Sequence, residues 1–300
     1  MTHDHRTAAG RFARPIAVAM AISLVVLVIE VVAGLASNSI ALLADAGHMF
    51  ADVSGLALSL LAIRLATRAR TDARTFGLYR LEIVAATANA LLLLGLAAFV
   101  LYEGIRRLAE PPVVDSSVVA VVATIGIAAN LVSLWLLRSG RHASLTVKGA
   151  YLEVVGDLLG SVAVLASALI TTATGWLQAD AVASLVVGVL IAPRAVALLR
   201  DSLDVLLEAT PKGVDMAAVR RHILEAPGVT DVHDLHAWTI TSGMNVVSAH
   251  VVLAPDARPG DVLDHLGLCL SGDFDVNHST FQLETPEHVA WEARASQPKH

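Results

Sequence analysis

Four ionisable residues stand close together in pairs within otherwise apolar sequence: His48 with Asp52, and Glu153 with Asp157. The first pair lies in Leu42-Leu43-Ala44-Asp45-Ala46-Gly47-His48-Met49-Phe50-Ala51-Asp52, the second in Tyr151-Leu152-Glu153-Val154-Val155-Gly156-Asp157. Four residues of helix advance about 400° and about 6 Å, so each pair stacks on one helix face, one turn apart. Two such faces brought together converge an imidazole and three carboxylates, the N/O donor set of a divalent first-row metal. A single buried Asp is explained equally well as a hydrogen bond between helices. Two matched pairs are not, because buried carboxylates without a cation are so costly; a water-filled proton path without metal is the remaining alternative.

Asp45, three residues before His48, falls on nearly the same face. It either orients the imidazole or lines the access path. Glu30, Asn89, Glu103, Asn130 and Asp180 also lie within or at the ends of apolar stretches. Glu103 reads as a helix-end or interhelical contact, and Asn89 and Asn130 as interhelical hydrogen bonds.

Positioning these residues falls to membrane-spanning helices. The chain has 300 residues, 55% hydrophobic and 16% charged, against averages of about 45–50% and about 25%. Its mean hydropathy is +0.66. Disorder and coiled coil are excluded, and so is a nucleic-acid partner, which needs a basic excess. The one cysteine, Cys269, excludes a disulfide framework and a multi-cysteine zinc finger. Crossing a bilayer takes about 20 mostly apolar residues. Six stretches qualify, at 15–36, 39–63, 81–106, 115–137, 147–172 and 178–200. The first is too long for a signal-peptide core, despite the small residues Ala33-Gly34-Leu35-Ala36.

Loop arginines set the direction. Arg6, Arg11 and Arg14 precede the first span; Arg64, Arg68, Arg70, Arg74 and Arg80 join the second to the third; Arg138, Arg141 and Lys148 surround the link between the fourth and fifth. The opposite loops hold only Arg106 and Arg107. Both termini are therefore expected in the cytoplasm, in the inner membrane of a cell. Beyond residue 200 the composition changes, with six Lys/Arg against fifteen Asp/Glu, a net of −9, and eight of the twelve histidines. The expected division is a tail (1–14), a six-helix transmembrane domain (15–205), a small cytoplasmic α+β domain (206–290) and a second tail (291–300). In that domain, 211–225 and 260–270 have helical spacing, while 230–238, 245–253 and 279–283 alternate as strands, in the order αββαβ. His233, His236, His250 and His278 lie on or beside those strands. His233 and His236 are three apart and point to opposite faces of a regular strand, so only a bulge could bring both to one site. His3 and His5 offer a weak surface metal pair, but a disordered tail is the preferred reading of Met1 to His5.

In these motifs the chain resembles the cation diffusion facilitators, and within them the bacterial zinc/cadmium/cobalt resistance branch. The matching segments include Ser39-Ile40-Ala41-Leu42-Leu43-Ala44-Asp45-Ala46-Gly47-His48-Met49, Thr75-Phe76-Gly77-Leu78-Tyr79-Arg80, Ser184-Leu185-Val186-Val187-Gly188, His233-Asp234-Leu235-His236-Ala237-Trp238 and His278-Ser279-Thr280-Phe281-Gln282-Leu283-Glu284. The resemblance implies six transmembrane helices with a ferredoxin-like cytoplasmic domain, a homodimer, and export of divalent cations in exchange for protons. The cargo would be Zn2+, with Cd2+ or Co2+ as further substrates, and no prosthetic cofactor. It places the central site on His48, Asp52, Glu153 and Asp157, and counts Glu284 with the cytoplasmic histidines as candidate ligands. One departure bears on the metal: that branch usually has His where this chain has Glu153. The loaded site would then carry about −1 rather than 0, and harder oxygen donors would favour Mn2+ or Fe2+ more than a two-histidine site does. In the empty site three neighbouring carboxylates cannot all be ionised, so at least one holds a proton, and Glu153 and His48 are the expected exchange sites. An intramembrane metallohydrolase would want a His-Glu-x-x-His helix, absent here. A metal sensor and a passive channel are the remaining rivals; a highly charged buried site argues against the fast release a channel needs.

Overall fold

The computed structural model describes residues 8–66, 71–138, 145–274 and 276–295. His3, His5 and most of the link around Arg141 lie outside them. The chain forms two compact units, one of residues 1–61 and 85–199, the other of 62–84 and 200–300.

Six long helices follow from the six apolar stretches: α1 (Ala8–Ser37), α2 (Ile40–Ala66), α3 (Leu81–Ala109), α4 (Ser116–Leu137), α5 (Leu145–Thr174) and α6 (Ala179–Leu206). Five of them are long and apolar enough to cross a membrane. The sixth, α2, has 27 residues, about 40 Å of helix, and is the one that carries Asp45, His48 and Asp52. Large apolar side chains point outward: Val25, Val28, Val32 and Leu35 form an exposed stripe on α1 at helical spacing, while Glu30 of the same helix is fully buried. That inversion suits a lipid solvent, in which apolar residues cover the outside and polar ones turn inward.

Small residues let the helices approach. Ala44 and Ala51 of α2 pack with Leu93, Ala97 and Val100 of α3 and with Val187, Ile191 and Ala195 of α6. Ala41 and Leu42 of α2 join a second cluster with Ala33 of α1, Val119, Val122 and Ala123 of α4, and Val164 and Ala168 of α5. So α2 is shared by both groups of helices. Its start is held by α6: Asp180 accepts hydrogen bonds from the Ser39 hydroxyl, from the Ile40 amide at 2.9 Å and from the Ala41 amide at 3.4 Å. A helix leaves its first amides without partners, and here a neighbouring helix supplies the acceptor. The two helices start side by side, and Asp52 and Arg194 lie 12 and 14 residues further on, at similar depth.

The second unit continues with α7 (Met216–Leu224), β1 (Val229–Thr241), β2 (Met244–Leu253), α8 (Pro259–Asp273), β3 (Val276–Glu284) and α9 (Pro286–Ala295). The expected αββαβ order is present, and α9 is an addition to it, running across the 290/291 division. The sheet order is β1-β2-β3, with β1 antiparallel and β3 parallel to β2. Val247, Ala249, Val251 and Leu253 alternate along β2 into a core that receives Val262, Leu266 and Leu270 of α8 at four-residue spacing, and Val219 and Ile223 of α7. His250 belongs to the opposite face. Asp215 caps α7, accepting from the amides of Ala217 and Ala218 at 2.9 and 3.3 Å.

Candidate metal centre

The helices α2 and α5 run antiparallel, and their polar residues meet in a ladder. Ser161 donates to Asp45 at 3.0 Å, and one turn further along α2 His48 Nε2 lies 3.9 Å from Asp157 Oδ1. The same Nε2 is 3.7 Å from Asp52 Oδ2 of its own helix. One donor atom from each of His48, Asp52 and Asp157 fits within a 4.8 Å cluster. Metal–ligand distances of about 2.0–2.2 Å put neighbouring donors of a tetrahedral ion about 3.4 Å apart, so little closing is needed. His48 Nδ1, Asp52 Oδ2 and Asp157 Oδ1 are buried without hydrogen-bond partners among the described residues. Two such carboxylate oxygens facing an imidazole nitrogen are what a divalent cation would satisfy.

Glu153 stands apart from this triad. It is half exposed, and its Oε1 pairs at 3.0 Å with the guanidinium of Arg194 on α6, whose Nη2 also lies 3.4 Å from Asp52 Oδ1. Arg194 is the residue that reading the sequence for paired acids and histidines misses. Its signal is nevertheless present: an arginine after Pro193, inside an apolar span, is expensive unless it has a carboxylate to meet.

Asp45 does not orient the imidazole. It faces α5 one turn before His48, where its bond is to Ser161, and His48 Nδ1 has no hydrogen-bond partner among the described residues. A Cβ on Gly160 would lie 2.3 Å from Asp45 Oδ1, so only glycine allows this approach. Glu30 is buried with neither carboxylate oxygen hydrogen-bonded among the described residues. The amide contacts expected of Asn89 and Asn130 are incomplete: Asn89 Oδ1 and Asn130 Nδ2 have no partner there either. Glu103 pairs with Arg106 and Arg107 at 3.1 and 3.0 Å near the end of α3.

A second cluster forms on the sheet. An extra residue in β1 between His233 and His236, with Asp234 at φ +46°, bulges the strand. His233 and His236 therefore face the same side, pairing with His250 and Ser248 of β2, and not the opposite sides of a regular strand. Only His233 joins the cluster, with Asp234 and His250. Glu284, at the end of β3, lies 3.1 Å from His233 Nε2 and 2.9 Å from His250 Nδ1. His236 lines a separate pocket with Trp238 and Ser248, and His278 meets the ring edge of Phe76.

Residues 16–207 match the family described as cation efflux transmembrane domain, and residues 211–286 the one described as cation efflux protein, cytoplasmic domain. The chain is 45% identical over 284 residues to the metal cation efflux system protein CzcD of Cupriavidus metallidurans, covering 94% of this chain and 89% of that one. It is 36% identical over 291 residues to the zinc transporter ZitB of Escherichia coli, covering 95% and 93%. With the cadmium, cobalt and zinc/H(+)-K(+) antiporter of Bacillus velezensis it shares 34% over 293 residues, covering 96% and 93%. Among solved structures, the metal-bound C-terminal domain of the CzcD transporter is 43% identical, covering 24% of this chain and 99% of that one, with a TM-score of 0.23.

Proposed function

The chain belongs to the cation efflux family, and from that premise we propose that it exports divalent metal cations, Zn2+ first and Cd2+ or Co2+ with it, in exchange for protons. The observation that carries this reading is the triad of His48, Asp52 and Asp157: one donor atom from each, on two helices, lies in a single cluster, and the two carboxylate oxygens that face His48 Nε2 are buried without hydrogen-bond partners among the described residues. An ion and a proton compete for the same lone pairs on such groups, so loading the metal releases protons and protonation releases the metal. Asp52 and Asp157 with neutral His48 leave room for a fourth donor such as water. Burial keeps the ion from equilibrating freely across the membrane, as a coupled exchanger requires. Similarity to relatives named as efflux proteins and zinc transporters supports the same reading.

Export is the direction for which similar proteins are named, and the loop arginines place both termini on the cytoplasmic side from which the ion would be taken. The acidic C-terminal unit would then face the metal pool, and its negative charge raises the cation concentration on that side of the membrane. We take His233, His250, Asp234 and Glu284 as a second, cytoplasmic metal site, and residues 211–286 as the part through which two chains form a homodimer. His236 and His278 are left out of that site because neither reaches it.

Purified protein in liposomes with a zinc-sensitive dye inside tests the reading. Zinc uptake should accelerate when an imposed pH gradient makes the interior acidic, and slow when it is collapsed. Uptake indifferent to the gradient would remove proton exchange from the proposal.

A further inference from the structure

Arg194 is the one intramembrane cation in contact with the candidate metal centre among the described residues, and its contacts are specific. One guanidinium nitrogen reaches Glu153 Oε1 at 3.0 Å and Asp52 Oδ1 at 3.4 Å, joining a carboxylate outside the triad to one inside it. Its position is not accidental to one rotamer. Asp180, at the start of α6, binds the first amides of α2, which fixes the level at which residue 194 meets residue 52. Side-chain exposures of 42% for Arg194 and 47% for Glu153 leave the pair room to move, whereas Asp157, at 8%, is confined.

We propose that Arg194 is a built-in counter-cation of the transport site. It holds Glu153 out of the metal's ligand set and takes Asp52 when no metal is bound, and so sets both affinity and metal preference. This rests on the transport reading above. Charge balance supplies the reason. Two charges on the ion and one on Arg194 match Asp52, Asp157 and Glu153, so the loaded centre is neutral with His48 uncharged. Without Arg194 it carries −1, costly in a low-dielectric interior. The pair of Glu153 and Arg194 is thus electrically equivalent to a neutral side chain at position 153, and the third carboxylate need not turn the site towards hard cations. When the ion leaves, the guanidinium fork can span Asp52 and Glu153 together, which eases release. Arg194 acts through these two carboxylates and is a positioning residue.

The test is a double-mutant cycle on zinc and manganese uptake in liposomes, using Arg194→Gln, Glu153→His and the two combined, with Arg194→Lys as the conservative variant. Arg194→Gln frees Glu153 to join the ion: half-saturation for zinc should fall about tenfold, maximal rate should fall, and manganese uptake should rise relative to zinc. Glu153→His leaves Arg194 as an excess positive charge and should raise half-saturation about tenfold. The combined variant should return to within about threefold of the unmodified protein. Arg194→Lys should keep the zinc-over-manganese preference. Effects that simply multiply in the combined variant, or an Arg194→Gln protein with unchanged preference and half-saturation, would overturn the assignment. If Arg194→Gln cannot be recovered from membranes, Glu153→Gln decides: Arg194 then bears on Asp52 alone, and an unchanged half-saturation for zinc sinks the proposal. Failure of the unmodified protein to take up any divalent cation counts against the transport reading, and the same cycle read as zinc binding in detergent then judges Arg194 independently.

Discussion

At the scale of single residues, the chemistry rests on groups that their surroundings make expensive. Truncating one partner of a buried charge pair costs about 2–5 kcal/mol of binding, on the order of a hundredfold or more at about 1.4 kcal/mol per factor of ten. Asp157→Asn should therefore lower zinc uptake at micromolar concentration by about a hundredfold or more, while membrane yield stays close to that of the unmodified protein. Retention of a tenth of the rate would mean that Asp157 is not a ligand. Cys269, the sole cysteine, offers a separate readout in the acidic C-terminal unit. Burial on α8 is the main cause that raises its thiol above the ordinary value, with Asp273 adding to it. Since the thiolate is the reacting form, alkylation by a maleimide at neutral pH should be slower than for a free thiol. It should keep rising with pH beyond the point where the free thiol levels off. Equal rates across the range would show that the site does not hold the thiol back.

At the scale of elements, the registers of α2 with α5 and with α6 decide which groups meet. Asp45 faces Ser161 and Gly160, and His48 faces Asp157; both pairs depend on close approach at Gly160. Gly160→Ala places a methyl group 2.3 Å from Asp45 Oδ1 in the unrelaxed backbone, so the helices must separate or Asp45 must leave Ser161. Overpacking of this kind costs about 1–3 kcal/mol. The variant should show a lowered melting temperature in detergent together with a rise in half-saturation for zinc, because the displaced helix carries Asp157. A change in neither would mean that the ladder does not position the triad. In the sheet the corresponding device is the bulge at Asp234, which changes the face on which His236 lies without bringing it to the cluster.

At the scale of the whole molecule, the two units carry one candidate metal cluster each among the described residues: His48 with Asp52 and Asp157, and His233 with Asp234 and His250. The full-length protein, equilibrated with zinc and freed of excess, should hold two ions per chain. Asp157→Asn should reduce that to one, and His250→Ala should do the same by removing the other. A chain that keeps both ions in either variant would contradict the corresponding site. The composition of the two units matches this division. The helical unit has few charges within its spans and carries the others at helix ends and links, while the acidic unit has a core of its own, centred on Val247, Val251, Leu266 and Leu270.

Much of this was legible before any coordinates. Hydropathy located the six long helices because lipid demands unbroken apolar length, and period-four spacing paired His48 with Asp52 and Glu153 with Asp157 because helix geometry is local. Alternation and helical spacing outlined the αββαβ order for the same reason. What lay beyond the sequence were contacts set by non-local register: Glu153 paired with Arg194 instead of standing in the triad, Asp45 bound to Ser161 instead of to His48, and Asp180 closing the start of a different helix. Nor did local pattern show the extra residue at Asp234 that alters strand parity. The excess of apolar over charged residues determined that any interior charge must have a partner. Which partner it has depends on how helices far apart in the chain are packed, and only the tertiary structure decided that.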